Sequence, residues 1–391
     1  SSVNDHGEFV YEKYIAGIPF ATEDRFIYEI NRIVDEYSID YIIPANDLVL
    51  LTLAEALYYG KLRCKLLTSP YDTCKTCCSK KLTYQKFQHR LPVPILYETL
   101  NDVDVWPVFL KPDFGFGSKG TAKVDQLSDA EYYLKHENNL LILEYLPGRE
   151  YTIDCFTDRH GHLRFAGGRE RVRISNGISV RTTPVVNSKF QEIAEIINQS
   201  LLLCGMWFFQ VKENKNSMLT LMEIAPRVAG AMGLYRNLGI NFPLLSLYDA
   251  EGFDVNIIKN NYLITFDRAL ESRFKLELKY DHVYLDYDDC MVVNGKLNLQ
   301  MVTFLYQCIN NGIGITLLTR HAGDLEKSLN KYRLDNIFDS IIKIEDDKLK
   351  SVFIKEQKSI FIDDSFAERR DVQINTGIPV FAPDAIECLL K

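Results

Sequence analysis

The chain has 391 residues, of which 47% are hydrophobic and 25% charged, with a formal net charge of −8. That length predicts two or three domains of ordinary globular composition. The acidic balance argues against a general nucleic-acid binder, whose domain is usually basic, and no apolar run reaches the roughly 20 residues that cross a bilayer. There is no secretory pattern at the start, and nine cysteines are scattered along the sequence. The expected setting is therefore cytoplasmic, with reduced thiols and no membrane partner. Cys74, Cys77 and Cys78 contain a CxxC, but no second CxxC or histidine pair follows at zinc-ribbon spacing.

Residues 24 to 68 read as αβαβ, with Phe26, Ile27, Ile30 and Ile33 on one helical face. This is a doubly wound fragment. A small helical piece at 81 to 90 leads to the strand VWPVFLKP, the tight loop GFGSKG and the returning strand TAKVDQL. LLILEYL is a buried strand, and EYTIDCFTD with HLRFAGGRERVR alternates as an antiparallel pair. FQEIAEIINQSLLLCG predicts a helix, WFFQVKEN and SMLTLMEIAP predict strands, and RVAGAMGLYRNLG predicts another helix. From 281 the pattern becomes β (HVYLDYD), α (LQMVTFLYQCINNG), β (IGITLLTR), α (GDLEKSLNKYRL), β (SIIKI), α (KLKSVFIKE), β (KSIFIDD) and a short strand PVFA. Such alternation predicts a parallel sheet with helices on both faces.

Gly115, Gly117 and Gly120 match GxGxxG. A dinucleotide site needs a helix after that motif, and TAKV reads as strand. No Lys-Ser/Thr pair follows Gly120, so a Walker A loop is excluded as well. What remains is a strand–loop–strand flap whose bare amides suit phosphate oxygens, with Lys111 beside it as a cation.

FLKPDFGFGSKG, LEYLPGREYTID and LTLMEIAPR, in that order, resemble the ATP-grasp superfamily, in particular carboxylate–amine ligases related to carbamoyl-phosphate synthase and the pyrrolysine-pathway ligase. The resemblance implies a partial pre-ATP-grasp α/β domain over 1–68, lacking a βα unit upstream, and an ATP-grasp α+β domain over 69–275. It implies ATP and Mg²⁺ as cofactors. Lys81 and Lys111 would contact ATP phosphates under a flap carrying Gly117 and Ser118. Glu144 and Leu146 would form the adenine hinge, and Glu150 would bind ribose. Gln210 and Glu223 would hold Mg²⁺, and Arg227 would neutralise the transferring phosphoryl group. Many relatives read E-x-N-P-R where this chain has Glu223-Ile224-Ala225-Pro226-Arg227; Ala225 cannot ligate, which weakens a second metal position. Arg169, Arg171 and Arg181 follow on strand-like segments, where a guanidinium fork suits a substrate carboxylate.

In the last third, Asp286 and Asp288 follow one apolar strand, and Asp363 and Asp364 end another. Two strand ends carrying carboxylates predict one Mg²⁺ site at the C-terminal edge of the parallel sheet. An EF-hand loop is excluded, because Met291 and Leu297 stand at its glycine and glutamate positions. Asp286-x-Asp288, Thr319, a lysine and Asp363-Asp364 resemble instead the four ordered motifs of the haloacid-dehalogenase (HAD) phosphatases, over 280–391. Lys350 is the best candidate for the lysine, with Lys348 and Lys355 as alternatives. Asp286 would be the nucleophile and Asp288 the general acid and base. Thr319 and Lys350 would hold phosphoryl oxygens, and the aspartates would ligate Mg²⁺. Cys290 stands where threonine is common. Thr319 lies 33 residues after Asp286, and Lys350 lies 31 after Thr319, which leaves no space for a cap domain.

The resulting expectation is a bifunctional enzyme, joining an ATP-dependent carboxylate–amine ligase to a Mg²⁺-dependent, capless HAD-like phosphatase of Rossmannoid fold. The alternative is a phosphatase whose ATP-grasp module only binds nucleotide. A small-molecule acid, an amine and a phosphorylated small molecule are the expected partners, and the reading leaves room for a homodimer.

Overall fold

The structure is a computed structural model that describes residues 2–3, 5–115, 119–271, 274 and 276–390. The chain folds as two compact units, Ser1–Val3 with Ala16–Leu270 and Asn4–Ile15 with Glu271–Lys391. Residues 16–68 fall in the same unit as those that follow, and the division lies just before the expected 275–280 boundary.

The first unit opens with α1 (Phe26–Tyr37), β1 (Tyr41–Ile42), α2 (Asp47–Tyr58) and β2 (Lys65–Leu66), and β1 and β2 pair in parallel. Asn46 starts α2 by accepting from the backbone N–H of Leu48 and Val49, at 3.0 and 3.3 Å, which satisfies two otherwise orphaned donors. Leu50, Leu53 and Ala54 of α2 bury against Phe26 and Val34 of α1. Next come α3 (Tyr71–Cys78), α4 (Lys80–Phe87), β3 (Leu96–Tyr97), β4 (Val108–Pro112), β5 (Ala122–Val124), α5 (Leu127–His136) and β6 (Leu140–Glu144). Four strands form an antiparallel sheet in the order β3-β6-β4-β5.

The remainder of this unit holds β7 (Glu150–Thr157), β8 (Leu163–Ser175), β9 (Ile178–Val185), α6 (Ser188–Ser200), β10 (Gly205–Glu213), β11 (Leu219–Ala225), α7 (Gly233–Arg236), α8 (Phe242–Ala250) and β12 (Phe266–Asp267). Among the described residues they build a six-stranded antiparallel sheet, ordered β11-β10-β7-β8-β9-β12. Period-two alternation assigns its two faces. Ile153, Trp207, Phe209 and Leu221 pack under α6 through Phe190, Ala194 and Ile197. Phe156, Met206 and Phe208 pack on the other side against Leu234, Tyr235 and Phe242. Gln210 follows Phe208 on that second side, which is the side carrying the candidate site.

The second unit contains β13 (His282–Leu285), the hairpin β14 (Val292–Val293) and β15 (Lys296–Leu297), α9 (Leu299–Asn310), β16 (Gly314–Thr319), α10 (Leu325–Tyr332), β17 (Ser340–Lys343), β18 (Ser359–Ile362), α11 (Phe366–Thr376) and β19 (Val380–Phe381). The sheet order is β17-β16-β13-β18-β19, and every pair is parallel. Val283, Leu285, Ile315, Leu317, Ile360 and Ile362 face α9 and α10. Tyr284, Leu318 and Phe361 face Val372 of α11. The expected doubly wound parallel sheet is present.

Two expected helices differ. RVAGAMGLYRNLG yields only the four-residue α7, because Gly230 and Gly233 leave little side chain to stabilise a longer helix. KLKSVFIKE is a single 3₁₀ turn at Lys350–Phe353, not a helix. α5 and α11 are helices that the sequence pattern does not predict; each buries one residue, Ala130 or Val372, so neither carries a strong apolar stripe.

Candidate functional sites

In the first unit a cleft is walled by the β3–β6 sheet and by β7, β10 and β11, and Phe109, Leu143, Leu146 and Met222 supply apolar lining. Its polar groups converge from separate elements. Lys111 sits on β4 opposite Leu141, with its side chain buried. Ser79 caps α4 by accepting from Leu82 N–H at 3.1 Å and donates to the Asp113 carboxylate at 3.0 Å. That contact fastens the helix start to the end of β4. Lys80 then points inward, and its Nζ donates to the carbonyls of Asp113 and Gly115, at 3.0 and 3.2 Å. It holds the chain where it enters the glycine-rich segment.

Lys81, the expected phosphate ligand, is exposed; its backbone N–H donates to Asp113 Oδ1 at 2.8 Å. One helical step rotates a side chain by about 100°, and here it separates a buried lysine from a solvated one. The inward lysine is Lys80. Gly117 and Ser118 lie outside the described residues.

Gln210 on β10 and Glu223 on β11 stand directly opposite each other, and both line the cleft. Burial pushes Lys111 below the ordinary lysine value, against the pull of Glu223 and Glu150. Burial and the neighbouring Lys111 do the same to Lys80, against Glu223, Asp47 and Asp113. Two desolvated ammonium groups beside a pair of oxygen donors suit a polyphosphate with a hard cation. Glu144 and Leu146 also line the cleft, as does Glu150. Arg171 links two of these residues, with Nη1 2.8 Å from Glu150 Oε1 and 2.6 Å from Gln210 Oε1. Gly148, just before Glu150, must lack a side chain, since a Cβ there would lie 2.4 Å from Glu213 Cβ.

A second cavity shares Lys80, Arg171, Gln210 and Glu223 with the cleft and continues past Asp47, Arg169, Ala225 and Arg227. Arg169 is buried and gives Nε and Nη2 to Asp154, at 2.7 and 3.2 Å. Its Nη1 and the Nε of Arg171 have no hydrogen-bond partner among the described residues. Buried donors left unpaired are costly, and both residues line this cavity. Arg181 does not join them. It is exposed on β9 with Nε 3.9 Å from Asp267, because it pairs in register with Arg173 rather than with Arg169 or Arg171. Arg227 is held by Asp47 through Nε and Nη2, at 2.6 and 2.7 Å. Asp47 had no sequence signal of its own.

In the second unit β16 ends at Thr319, and Asp286 and Asp363 directly follow the adjacent strands β13 and β18. The strand order turns back between β13 and β18, which is where open parallel sheets place their ligands. Lys350 Nζ lies 2.9 Å from Asp286 Oδ1 and 2.6 Å from Asp363 Oδ2, and all three are buried. Burial raises the Asp363 carboxyl to about 6, Lys350 opposes the rise, and Asp286 adds to it. Burial likewise raises Asp286 against the pull of Lys350. Burial opposes the Lys350 charge, but the two aspartates outweigh it and hold its pKa above the ordinary value. One cation thus serves two acids. Lys348 is instead a surface partner of Asp346 at 2.8 Å.

Of the four expected metal-binding aspartates, Asp286 and Asp364 lie together with Cys290, their ligand atoms within 4.8 Å of one another. The two carboxylates suit Mg²⁺, whereas the thiol suits softer metals. Asp363 is engaged by Lys350. Asp288 is exposed and turns to His321, whose Nδ1 lies 3.0 Å from both carboxylate oxygens. His321 was missed, because its approach depends on β13 lying beside β16.

Residues 136–265 match the family described as "ATP-grasp in the biosynthetic pathway with Ter operon". No curated protein matches the sequence. Among solved structures, biotin carboxylase from Campylobacter jejuni, in a complex named for β,γ-ATP, superposes with TM-score 0.56 at 16% identity, covering 66% of this chain and 65% of that one. The biotin carboxylase domain dimer of Hydrogenobacter thermophilus 2-oxoglutarate carboxylase, with MgADP, ADP and bicarbonate, gives TM-score 0.54 at 11% identity over 61% of this chain and 60% of that one. The ADP complex of N5-carboxyaminoimidazole ribonucleotide synthetase gives 0.52 at 14% identity, over 64% and 68%. The chain thus spans less than two thirds of the two biotin carboxylase chains. No helix among the described residues is long and apolar enough to cross a membrane. The cleft of residues 16–270 is built on an ATP-grasp α/β fold.

Proposed function

We propose that residues 16–270 catalyse ATP-dependent joining of a small-molecule carboxylate to an amine. The observation that carries this reading is the convergence of Lys80, Lys111, Gln210 and Glu223 on one cleft of an ATP-grasp fold, where the nucleotide-bearing neighbours supply the analogy. Glu144 and Leu146 would border the adenine, Glu150 the ribose, and Lys80 and Lys111 the phosphates. Gln210 and Glu223 would hold Mg²⁺, which supplies positive charge to the phosphate oxygens. The substrate carboxylate would lie on Arg169 Nη1 and Arg171 Nε. Its oxygen attacks the γ-phosphorus, the bond to ADP breaks, and an acyl phosphate forms. The amine nitrogen then attacks the acyl carbon, phosphate leaves, and the nitrogen loses a proton. Electrostatic preorganisation by the lysines and Arg227 carries most of such a reaction. A screen of acid and amine pairs for ADP release tests the reading. Release that needs both partners supports it, and none across the screen counts against it.

For the second unit we infer a phosphomonoesterase of the HAD type without a cap domain. The placement of Asp286 and Asp363 just past neighbouring strand ends, bridged by Lys350 Nζ, favours it. Asp286 attacks phosphorus while the leaving oxygen takes a proton from Asp288. Water, deprotonated by Asp288, then releases phosphate from Asp286. Asp286 and Asp364 would hold Mg²⁺, which offsets the charge of the attacking carboxylate and the phosphate. Hydrolysis of p-nitrophenyl phosphate, lost in Asp286→Asn, tests this half and separates it from a nucleotide-binding scaffold without phosphatase activity.

A further inference from the structure

One histidine of the second unit is held on several sides and serves none of the roles above. His321 follows the end of β16, and its backbone N–H donates to Thr319 Oγ1 at 3.2 Å. Its ring meets Tyr287 edge-on, with centroids 5.1 Å apart and planes at 76°. Nε2 lies 3.4 Å from Ser328 Oγ on α10. Gly323 closes another side: a Cβ there would stand 2.9 Å from Nε2. The remaining nitrogen, Nδ1, is 3.0 Å from Oδ1 and Oδ2 of Asp288. The imidazole is 16% exposed and the Asp288 side chain 54%. The anchored partner is therefore the histidine, and the carboxylate is the group being held.

A carboxylate only accepts, so Nδ1 carries a hydrogen directed at Asp288, and the Ser328 hydroxyl can partner Nε2 in either direction. When Asp288 is protonated its carbonyl oxygen can still accept from Nδ1–H, which leaves the acidic O–H on the other oxygen. The contact therefore sets the direction of the Asp288 proton as well as the place of the side chain.

We propose that His321 is the positioning residue for Asp288, orienting it to protonate the leaving oxygen of a phosphomonoester. This rests on the phosphatase reading of the second unit. A loop carboxylate that is half in solvent samples several rotamers, and a misplaced acid loses much of its rate advantage. The loss should grow with the basicity of the leaving group. An alkoxide needs the proton in the transition state, whereas p-nitrophenolate leaves without much help.

The test uses the full chain with Mg²⁺ and two esters, glycerol 2-phosphate and p-nitrophenyl phosphate. His321→Ala should lower kcat on the glycerol ester about 30-fold, with KM within about twofold, and should leave kcat/KM on the aryl ester within about threefold, because that ratio ends at departure of the leaving group and excludes the later attack of water. His321→Asn, whose amide N–H replaces Nδ1–H, should restore most of the alkyl-ester rate, and His321→Gln, whose amide reaches the Nε2 position, should not. In an Asp288→Asn background, His321→Ala should cost nothing further. Equal losses of kcat/KM on both esters, a loss confined to KM, unchanged rates, or equal behaviour of the Asn and Gln variants would overturn the assignment. The Asn and Gln comparison stands even if His321→Ala does not fold. Should wild-type protein hydrolyse neither ester, or Asp286→Asn keep full activity, the phosphatase reading itself fails and the role of His321 goes with it.

Discussion

Asp47 and Arg227 form a two-point ion pair, with Nε to Oδ1 at 2.6 Å and Nη2 to Oδ2 at 2.7 Å. Asp47 opens α2 and Arg227 follows β11, so the pair ties residues 16–68 to the end of the six-stranded sheet. The guanidinium also lies over the Phe208 ring, 5.2 Å from its centroid. Its remaining N–H groups are thereby fixed in direction before any phosphate arrives. Asp47→Ala should lower kcat for ADP release about 10- to 100-fold with a smaller change in KM for ATP, because orientation rather than charge is lost. Arg227→Lys should not substitute, since one ammonium cannot make the two-point contact. Steady-state ADP release measures both.

Arg171 ties up Gln210 Oε1 at 2.6 Å, the same oxygen assigned to Mg²⁺. Glu223→Gln should weaken nucleotide binding about 100-fold in the presence of Mg²⁺ and much less in EDTA. Arg171→Met should instead ease cation binding to Gln210 while weakening the carboxylate substrate through KM. Nucleotide titrations at several Mg²⁺ concentrations separate the two outcomes.

Lys350 is the shared counter-charge of Asp286 and Asp363. Lys350→Met leaves two buried carboxylates facing each other and should cost about 3 kcal/mol of stability. Millimolar Mg²⁺ should return more stability to this variant than to the wild type, since a cation that binds only the folded state stabilises it by mass action. Urea unfolding with and without Mg²⁺ gives the comparison. Phosphatase activity should be lost in either condition.

Asp158 accepts from the backbone N–H groups of His160 and His162, at 3.0 and 2.9 Å, and from Arg164 Nε at 2.5 Å. Burial alone would raise its pKa, but these donors outweigh it and hold the carboxyl below the ordinary value. Its stabilising effect is therefore complete above the unfolded value near about 3.9 and is lost as pH falls through the lower folded value. Asp158→Asn should be about 1–2 kcal/mol less stable at neutral pH, with the difference from wild type shrinking in strong acid. Denaturant unfolding over a pH series shows it.

The parallel sheet of 281–391 was legible because its strands are short apolar runs bounded by polar turns, and its acids sit where those runs stop. The facing pair Gln210 and Glu223 was likewise recoverable from motif order. Local helix phase was not. Lys80 and Lys81 follow the same cap residue, and only the packing of α4 against Asp113 decides which turns inward. α11 was invisible because FAERRDVQINT buries only Val372. His321 and Asp47 were missed for another reason: each finds its carboxylate or guanidinium partner through strand order or long-range packing, and linear spacing carries neither. Arg181 failed by register, since a bulge between Arg171 and Arg173 changes which β8 residue it pairs with.

The central claim is that the cleft between Lys80, Lys111, Gln210 and Glu223 takes up ATP together with Mg²⁺. Isothermal titration of the full chain with a non-hydrolysable ATP analogue examines it directly. The account predicts one site per chain, binding strengthened by Mg²⁺, and loss of that strengthening in Glu223→Gln. Absence of binding with Mg²⁺ present, or binding indifferent to both Mg²⁺ and Glu223, would contradict it.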